Sequence, residues 1–481
     1  MLIYNARCIA TLDDARRELA DASIFIRNNL IEHIGPTADL PPDCVAVADE
    51  VIDARHHLVT PGLVNTHHHM FQSLTRASPA VQNAELFGWL RGLYPIWAGL
   101  TPEMVQVSTQ VAMAELLMSG CTTSSDHLYI YPHSAQGKVR LDDSIEAAQQ
   151  IGMRFVATRG SMSVGQSQGG LPPDRVVEQE DFILKDTQRL IETYHDASHG
   201  AMLNVAVAPC SPFSVSRDLM RESALLARSF KGQNVRLHTH LAENDHDIAY
   251  SREKFNCTPA EYAQDLGWLG PDVWHAHCVK LDAQGISLFA ASRTGVAHCP
   301  CSNMRLASGI APIRKMLNAG VPVGLGVDGS ASNDAAHMVN EARQALLLAR
   351  VGRAMQPPET REGRSFFGCD LGPAEMTARD VLHMATRGGA QVLGRTDIGH
   401  MAPGMSADLA MFDLRTLGFA GGAVHDAVGS LMLCASAQAA YTVVNGKVVV
   451  REGRLASVEL EPLLVRHNTL AVQLAQAASR V

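Results

Sequence analysis

The sequence lacks the features that mark membrane-spanning, disulfide-stapled and nucleic-acid-binding proteins. Its 481 residues contain no run of about 18 uncharged apolar residues, and no basic segment leads into an apolar one at the start. The ten cysteines show no paired CxxC spacing, which argues against a zinc ribbon and a disulfide framework. No long basic run accompanies the formal net charge of -9. We therefore predict a cytoplasmic protein that binds neither a membrane nor a nucleic acid.

The composition is that of a large folded protein. Hydrophobic residues make up 46% of the chain and charged residues 19%, values near those of ordinary globular proteins, which excludes disordered and fibrous classes. The length also exceeds that of a typical single compact domain. We expect a large core and more than one domain.

The two ends of the chain share a β-rich pattern. Residues 1–60 alternate short apolar runs with turns, as in ASIFIRNNLIEHIG. Near the other end, Asn445 and Gly446 separate two apolar runs, which is a strong hairpin signal. We predict that residues 1–60 and 401–481 together form a small β-sandwich domain, and that the second segment ends in a helix.

Between these ends, apolar strands alternate with amphipathic helices, as in VATRG, EDFILKDTQRLIETYH, LNVAVAP and SRDLMRESALLARSF. Such alternation indicates a parallel sheet covered by helices. Roughly eight strand candidates between Leu63 and Gly329 favour a closed barrel over an open sheet. The predicted fold class is thus α/β, with a (β/α)8 TIM-like barrel over residues 61–400 and its chemistry at the C-terminal strand ends. Residues 165–174 are predicted to form a mobile loop at the mouth.

Three successive histidines end the first of these strands. In PGLVNTHHHMFQ, His67 and His69 share one face of an extended strand, whereas His68 points away. Two imidazoles that converge at a strand end can bind one metal ion, and the alternative is a hydrogen-bonded histidine pair. We favour metal binding.

A second strand, VRLHTHLAEN, ends in two histidines followed by a glutamate. His240 and Glu243 are three residues apart across the turn that leaves the strand. The imidazole can therefore bind a metal ion while the carboxylate transfers protons beside it. Spacing alone does not choose between His238 and His240 as the ligand.

Three further strand ends carry ionisable side chains. VPVGLGVDGSASND ends a buried strand at Asp328, where an acid is costly to bury unless it faces a metal ion or another cation; the alternative is an ordinary turn aspartate. His277 in VWHAHCV and His298 in GVAHCP are candidates to hydrogen-bond the reacting group, and either could instead be a core histidine. Three histidines and one aspartate leave a coordination position open on Zn²⁺ or Fe²⁺. The set predicts metal-assisted hydrolysis at a mononuclear site.

These motifs, in this order, resemble the amidohydrolase superfamily in its deaminase and chlorohydrolase branch. The resemblance covers nearly the whole chain through NTHHH, HTHLAE, AHCV, HCPCSN, GVDGS and ATRGGAQVLGRTDIGHMAPGMSADLAMFD. It implies one divalent metal ion, Zn²⁺ in preference to Fe²⁺, and β-rich ends that join beside the barrel. The implied metal ligands are His67, His69, His240 and Asp328. The implied catalytic residues are Glu243 and Asp328, which move protons, and His277, which polarises the leaving or carbonyl group.

The resemblance also implies an amino-substituted heterocycle as the substrate, and the motif combination favours 8-oxoguanine, hydrolysed to urate and ammonia. Gln72 lies where guanine-type relatives place a glutamine that reads a lactam, since an amide both donates and accepts. We assign Trp89 to a pocket wall, although Trp89 and Trp97 could both be packing residues. Cys210, also assigned to substrate binding, stands where many relatives have a histidine, which weakens the transfer of an adenosine-type substrate.

Several alternatives share part of this chemistry. Isoxanthopterin, guanine and hydroxytriazine deaminases differ only in what the pocket accepts. A triazine chlorohydrolase would use the same metal to expel chloride, but a retained Glu243 favours loss of an amine. The remote alternative is a barrel that binds a metal or ligand without turnover. The expected partner is a small heterocycle, and the resemblance implies a homo-oligomer.

Overall fold

The computed structural model of the protein describes residues 1–134, 137–356, 372–434 and 437–478. Its strands, in chain order, are β1 (Leu2–Ala10), β2 (Glu18–Arg27), β3 (Leu30–Pro36), β4 (Val51–Asp53), β5 (His57–Pro61), β6 (Leu63–Asn65), β7 (His68–His69), β8 (Cys121–Leu128), β9 (His133–Ser134), β10 (Gly137–Lys138), β11 (Arg154–Ser161), β12 (Leu203–Pro209), β13 (Arg236–Leu241), β14 (Val273–His277), β15 (Gly295–His298), β16 (Val323–Leu325), β17 (Asp328–Gly329), β18 (Leu409–Asp413), β19 (Tyr441–Val444), β20 (Lys447–Arg451) and β21 (Arg454–Leu455).

The helices are α1 (Asp43–Val47), α2 (Leu86–Trp97), α3 (Pro102–Met118), α4 (Leu141–Ile151), α5 (Glu180–Tyr194), α6 (Arg217–Ser229), α7 (Asp245–Phe255), α8 (Pro259–Asp265), α9 (Ala283–Ser292), α10 (Pro300–Arg305), α11 (Ile313–Asn318), α12 (Met338–Ala354), α13 (Ala378–His383), α14 (Gly389–Val392), α15 (Ala427–Leu433) and α16 (Leu460–Ala478). A π-helical turn, Met384–Gly388, joins α13 to α14. A 3₁₀ segment, Met70–Thr75, follows β7.

Eight parallel strands close into a barrel in the order β11, β12, β13, β14, β15, β16, β6 and β8. Strands β8, β14 and β15 are buried along their whole length, as expected for strands that face the barrel interior on one side and helices on the other. The predicted (β/α)8 barrel is confirmed. Because all strands run the same way, the residues that end them meet at one mouth.

Strands from the two ends of the chain form a second sheet. β5, from the N-terminal segment, pairs antiparallel with β18, from the C-terminal segment, within one sheet of nine strands. The turn between β19 and β20 is the expected hairpin, with Asn445 at φ 49° and Gly446 at φ 77°. The prediction that the two ends join is confirmed, while the domain boundaries at residues 60 and 400 stay predictions.

The second sheet packs against the end of the barrel where the strands begin. Arg154, the first residue of β11, donates to Asp408 from Nε at 2.8 Å and from Nη2 at 3.1 Å. Gly120 leads from α3 into β8 at φ 87°, and a Cβ there would lie 2.9 Å from the Cβ of Ala410. The terminal sheet therefore covers the N-terminal strand ends, opposite the mouth.

The structure bears on two features that the sequence lacks, a membrane-spanning helix and a disulfide framework. No helix among the described residues is long and apolar enough to cross a bilayer. Nine cysteines in the described part of the chain are free thiols, and Cys369 lies outside the described residues.

Candidate active site

The first strand of the barrel and the last one bring the HxH motif to Asp328. Asp328 N donates to the carbonyl of His67 at 3.0 Å, and Val327 N donates to the side-chain oxygen of Asn65 at 2.9 Å. Beyond these bonds, β7 and β17 pair in parallel, with His68 opposite Asp328. Residues more than 250 positions apart in sequence thus meet because the barrel closes between β16 and β6.

The four predicted metal ligands converge at this point. The Nε2 atoms of His67 and His69 lie 3.2 and 3.3 Å from Asp328 Oδ1. The Nε2 atoms of His69 and His240 are 3.1 Å apart. The structure therefore brings His67, His69, His240 and Asp328 together from three different strand ends.

The hydrogen bonds behind two of these imidazoles define which nitrogen is free. His69 Nδ1 lies 2.7 Å from the carbonyl of His127, and His240 Nδ1 lies 2.6 Å from the carbonyl of Cys210. A carbonyl only accepts, so each Nδ1 carries the proton and each Nε2 presents a lone pair. Two lone pairs 3.1 Å apart cannot hydrogen-bond each other, but a cation between them satisfies both.

His238 holds the third imidazole in the same state. Its Nδ1 donates to the carbonyl of Trp274 at 3.0 Å, so its Nε2 accepts from His67 Nδ1 at 2.8 Å. His67 Nε2 is then also unprotonated and carries a free lone pair, and it has no hydrogen-bond partner among the described residues. The structure thus places His240 at the centre of the cluster and His238 behind it, as a support for His67.

The donor set fits a divalent metal ion. Burial is the first cause that lowers the pKa of His69, to about 3, so this imidazole stays neutral as a metal ligand must. His67, His240, His277 and Asp328 each offer a ligand atom within 4.8 Å of the others, and His67, His69, His127 and His240 form a second such group. Imidazole nitrogen with one carboxylate oxygen is a donor set that zinc accepts.

Glu243 and His277 stand beside the cluster. His277 Nδ1 donates to Asn303 Oδ1 at 3.0 Å, so its Nε2 faces Glu243 Oε2 at 3.6 Å and Asp328 Oδ2 at 3.9 Å. Burial raises the pKa of Glu243 to about 7, against the opposing charge of His277. Burial alone would lower the pKa of His277, but the carboxylates of Glu243 and Asp328 raise it overall. A carboxyl group that titrates near neutral pH can both take up and release a proton.

The backbone at these strand ends is strained. Ala242, His277 and Asp328 have φ values of 53°, 71° and 61°, in the left-handed region that residues with a Cβ rarely adopt. Each of these residues either is a candidate functional residue or precedes one. Such strain persists only where the surrounding structure enforces it, and it clusters at functional sites.

A cavity opens in front of this cluster, and its mostly apolar walls with a few polar groups are typical of small-molecule sites. The substrate residues predicted from the sequence, Gln72, Trp89 and Cys210, all line it. Trp89 Nε1 donates to the carbonyl of Ala331 at 3.0 Å, which fixes the indole as a wall. The other lining residues are His69, Leu86, Leu90, Tyr94, Tyr129, Ser211, Phe213, His240, Glu243, His277, Leu306, Asp328 and Ser332.

Gln72 is held at the cavity by its neighbours. Its Nε2 donates to the hydroxyl of Tyr129 at 3.3 Å, and its Oε1 has no partner among the described residues. A Cβ on Gly329 would lie 1.8 Å from that Oε1, so glycine at this position is what leaves room for the amide. Gln72 therefore lines the cavity with an amide oxygen whose acceptor capacity is unused in the described structure.

Several residues of the site were not predicted from the sequence. Tyr94 and Tyr129 line the cavity, Asn303 orients His277, and Ser332 Oγ donates to Asp328 Oδ2 at 3.1 Å. His127 stacks on His240 with ring centroids 5.0 Å apart. The signal for His127 and Tyr129 was the stretch CTTSSDHLYIYP, which ends the buried strand β8 in the same way as the strands that were recognised.

Two other predicted features lie away from the cavity. His298 is buried, its pKa is lowered to about 3 by burial, and it is not among the lining residues of the described chain. Residues 165–174 contain a 3₁₀ turn in which Ser167 Oγ donates to Asp174 Oδ1 at 2.9 Å, and none of them lines the cavity. The mobility of this loop stays a prediction.

A closed parallel barrel that gathers imidazoles and carboxylates at its C-terminal strand ends defines a hydrolase of the metal-assisted class. Residues 58–452 match the model of the amidohydrolase family. The chain belongs to that family and is a hydrolase that acts on C–N bonds.

The chain is similar in sequence and in structure to individual enzymes of this family. The chain is 46% identical to the 8-oxoguanine deaminase of Pseudomonas aeruginosa, over 87% of this chain and 88% of the relative. It is 37% identical to an isoxanthopterin deaminase from an unknown prokaryotic organism, over 96% and 94% of the two chains. Among solved structures, the atrazine chlorohydrolase TrzN from Arthrobacter aurescens TC1 complexed with zinc superposes with a TM-score of 0.88 at 32% identity, covering 98% of this chain and 99% of that one.

Proposed function

We propose that the protein is a metal-dependent deaminase that hydrolyses 8-oxoguanine to urate and ammonia. The observation that carries the proposal is a buried Glu243 that faces His277 at 3.6 Å and shares one cavity with the unpartnered amide oxygen of Gln72. One end of this cavity can move protons and the other can read a ring N–H. The identity to an 8-oxoguanine deaminase supports this substrate over the other heterocycles.

His67, His69, His240 and Asp328 are proposed to hold one divalent cation, Zn²⁺ in preference to Fe²⁺. Their converging Nε2 lone pairs and the Asp328 Oδ1 atom supply the donors. When bound, the cation would supply Lewis acidity that lowers the pKa of a water molecule, so that hydroxide forms at neutral pH. The relative TrzN, solved in complex with zinc, supports this choice of metal.

Two carboxyl groups of the chain carry out the proton transfers. Glu243 accepts a proton from the attacking water and returns it to the departing amine, which suits a carboxyl group with a pKa of about 7. Asp328 takes the second proton of the water through Oδ2, the oxygen that Ser332 Oγ orients, and passes it to the ring nitrogen, which becomes the N–H of the product lactam. His277, whose pKa the carboxylates of Glu243 and Asp328 raise against the effect of burial, directs its Nε2 toward both and can donate to charge that develops on the ring. The products are a ring carbonyl and ammonia.

Substrate contacts follow from the cavity lining. Gln72 Oε1 accepts from a ring N–H, Trp89 forms the wall against which the ring lies, and Cys210 lines the same cavity. Burial raises the pKa of the Cys210 thiol to about 12, so it contributes as a small neutral side chain. Isoxanthopterin is the second candidate substrate, on the basis of the 37% identical relative.

Two further proposals rest on the family resemblance and on the sequence. We propose that the protein is a homo-oligomer and that it acts in the cytoplasm on a free small molecule. Light scattering coupled to gel filtration tests the first proposal, and a mass equal to 51.8 kDa would contradict it.

The test is ammonia release from 8-oxoguanine, isoxanthopterin, guanine, and amino- and chlorotriazines, with metal content measured on the same sample. We expect release from 8-oxoguanine, and a loss of about 10³-fold in kcat/KM in Glu243→Gln with metal content retained. Glu253→Gln, an exposed change on α7, is the matched control and should keep full activity. Chloride release from a chlorotriazine, without ammonia release from any substrate, would instead favour the chlorohydrolase alternative.

A further inference from the structure

Two tyrosine hydroxyls in the cavity carry a proton that no described residue accepts. The Tyr94 hydroxyl is buried without a hydrogen-bond partner, and the Tyr129 hydroxyl accepts from Gln72 but has no acceptor for its own proton. We propose that Tyr94 and Tyr129 each donate to a different ring carbonyl of the substrate, so that the pocket selects an amino-substituted heterocycle with two carbonyls. This inference rests on the proposed function and names the groups that set its specificity.

Tyr94 belongs to the face that α2 turns toward the cavity. Leu86, Leu90 and Tyr94 follow one another at intervals of four residues, and all three line the cavity together with Trp89. Residues four apart lie on the same side of a helix. The lone polar atom on this otherwise apolar face is the Tyr94 hydroxyl, apart from the indole nitrogen of Trp89, which is already bonded to Ala331.

The helix is fixed on both sides of Tyr94. Trp89 Nε1 donates to the carbonyl of Ala331 at 3.0 Å, and Trp97 Nε1 donates to Thr75 Oγ1 at 3.1 Å. These bonds tie α2 to the segment after Asp328 and to the segment after the HxH motif. Tyr94 therefore keeps one position relative to the metal-ligand cluster, as a group that reads a substrate must.

Both hydroxyls are donors at physiological pH. Burial raises the pKa of Tyr94 and of Tyr129 well above the usual value of 10. A buried hydroxyl without a partner is unfavourable, and native structures leave few such groups unpaired. A carbonyl oxygen brought by the substrate supplies the missing acceptor.

The count of polar groups matches a dioxo bicyclic ring. Gln72 Oε1 takes a ring N–H, and the adjacent Tyr129 hydroxyl gives its proton to the neighbouring carbonyl, which together read one lactam. Tyr94 remains for a second carbonyl. 8-Oxoguanine and isoxanthopterin each carry two ring carbonyls, whereas guanine carries one. Tyr94 is thus the residue that separates the oxidised purine from guanine.

The first experiment compares kcat/KM for 8-oxoguanine and guanine in the unaltered enzyme, in Tyr94→Phe and in Tyr262→Phe. Tyr262 is the matched control because its hydroxyl is also buried without a partner in the described chain, but lies outside the cavity. We expect Tyr94→Phe to lower kcat/KM for 8-oxoguanine by about 10- to 100-fold and to change that for guanine by less than about threefold. Tyr262→Phe should leave both unchanged.

The second experiment needs no turnover. Urate and xanthine lack the amine and differ in the carbonyl of the five-membered ring and in charge at neutral pH. The change that Tyr94→Phe makes in the ratio of their affinities, measured by calorimetric titration, therefore reports on the contact with that carbonyl. The unaltered protein should prefer urate to xanthine, and Tyr94→Phe should lower that preference by at least about tenfold. An unchanged preference for urate in Tyr94→Phe overturns the inference, as does an unchanged ratio of kcat/KM. Failure of the unaltered enzyme to release ammonia would instead overturn the proposed function, while the urate and xanthine titrations still decide the role of Tyr94.

Discussion

The two ends of the barrel bury polar groups to the same depth and use them in opposite ways. At the N-terminal end, Arg154 is fully buried, and its guanidinium donates hydrogen bonds to Asp408 and, at 2.7 Å, to the carbonyl of Gly200. At the C-terminal end, His67 Nε2, Gln72 Oε1 and the Tyr94 hydroxyl are equally buried but have no hydrogen-bond partner in the described structure. Satisfied groups stabilise the fold, whereas groups left with unused bonding capacity are what a metal ion and a substrate can bind.

The largest effect that we expect is from removal of the metal, which should disrupt the site at the C-terminal end of the barrel and leave the N-terminal end unchanged. Dialysis against a chelator should abolish ammonia release, because the lone pairs of three imidazoles lose the cation that they share. The thermal midpoint should also fall, since a ligand that binds only the folded state stabilises it. Activity and midpoint should return on adding Zn²⁺. Full activity in a sample shown by elemental analysis to be free of metal would contradict the proposed site.

Truncation of Arg154 should destabilise the packing at the N-terminal end of the barrel. Arg154→Ala leaves Asp408 buried without its cation, which should lower the free energy of unfolding by about 3–5 kcal/mol. Denaturant titration measures this change. Arg415→Ala is the matched control, because Arg415 pairs with Asp413 at the surface and such pairs contribute less than about 1 kcal/mol.

The two variants also separate stability from catalysis. Below its unfolding transition, Arg154→Ala should keep the kcat/KM of the unaltered enzyme, because Arg154 lies at the strand ends opposite the cavity. Loss of activity in the folded variant, with metal retained, would show that the two ends are coupled.

The smallest effect that we expect is the pH dependence of kcat/KM, which tests the role of Glu243 at the C-terminal end of the barrel. A general base acts when deprotonated, and burial raises the pKa of Glu243 to about 7. We expect kcat/KM to fall about tenfold per pH unit as the pH drops below an inflection at or below 7, since the positive charge of a bound cation can only lower that pKa. Glu243→Gln should show a flat acid limb at its low residual rate. The same inflection in Glu243→Gln would assign the titration to another group.

Much of the candidate site could be predicted because each residue ends a recognisable strand. Parallel strands that close into a barrel bring their C-terminal ends together, so His67, His240 and Asp328 had to meet once the barrel was inferred. Tyr94 carries no such signal. It lies in the middle of α2, and its spacing from Leu86 and Leu90 predicts only an apolar helix face.

Spacing also left open the choice between His238 and His240. Both lie on one face of the same strand, two residues apart, so neither periodicity nor composition separates them. Only the positions of the acceptors decide: the carbonyl of Trp274 lies behind His238, and that of Cys210 lies behind His240. These bonds set which nitrogen carries the proton, and hence which lone pair faces the centre.

The sequence by itself determined the α/β barrel, the union of the β-rich ends and the residues that close on one another at the mouth, because strand period and strand ends are local properties of the chain. The tertiary structure alone decided the tautomers of the histidines, the neutral-range pKa of Glu243 and the unpaired hydroxyl of Tyr94. Each of these depends on which atoms from distant segments surround a group, and on how completely they exclude water from it.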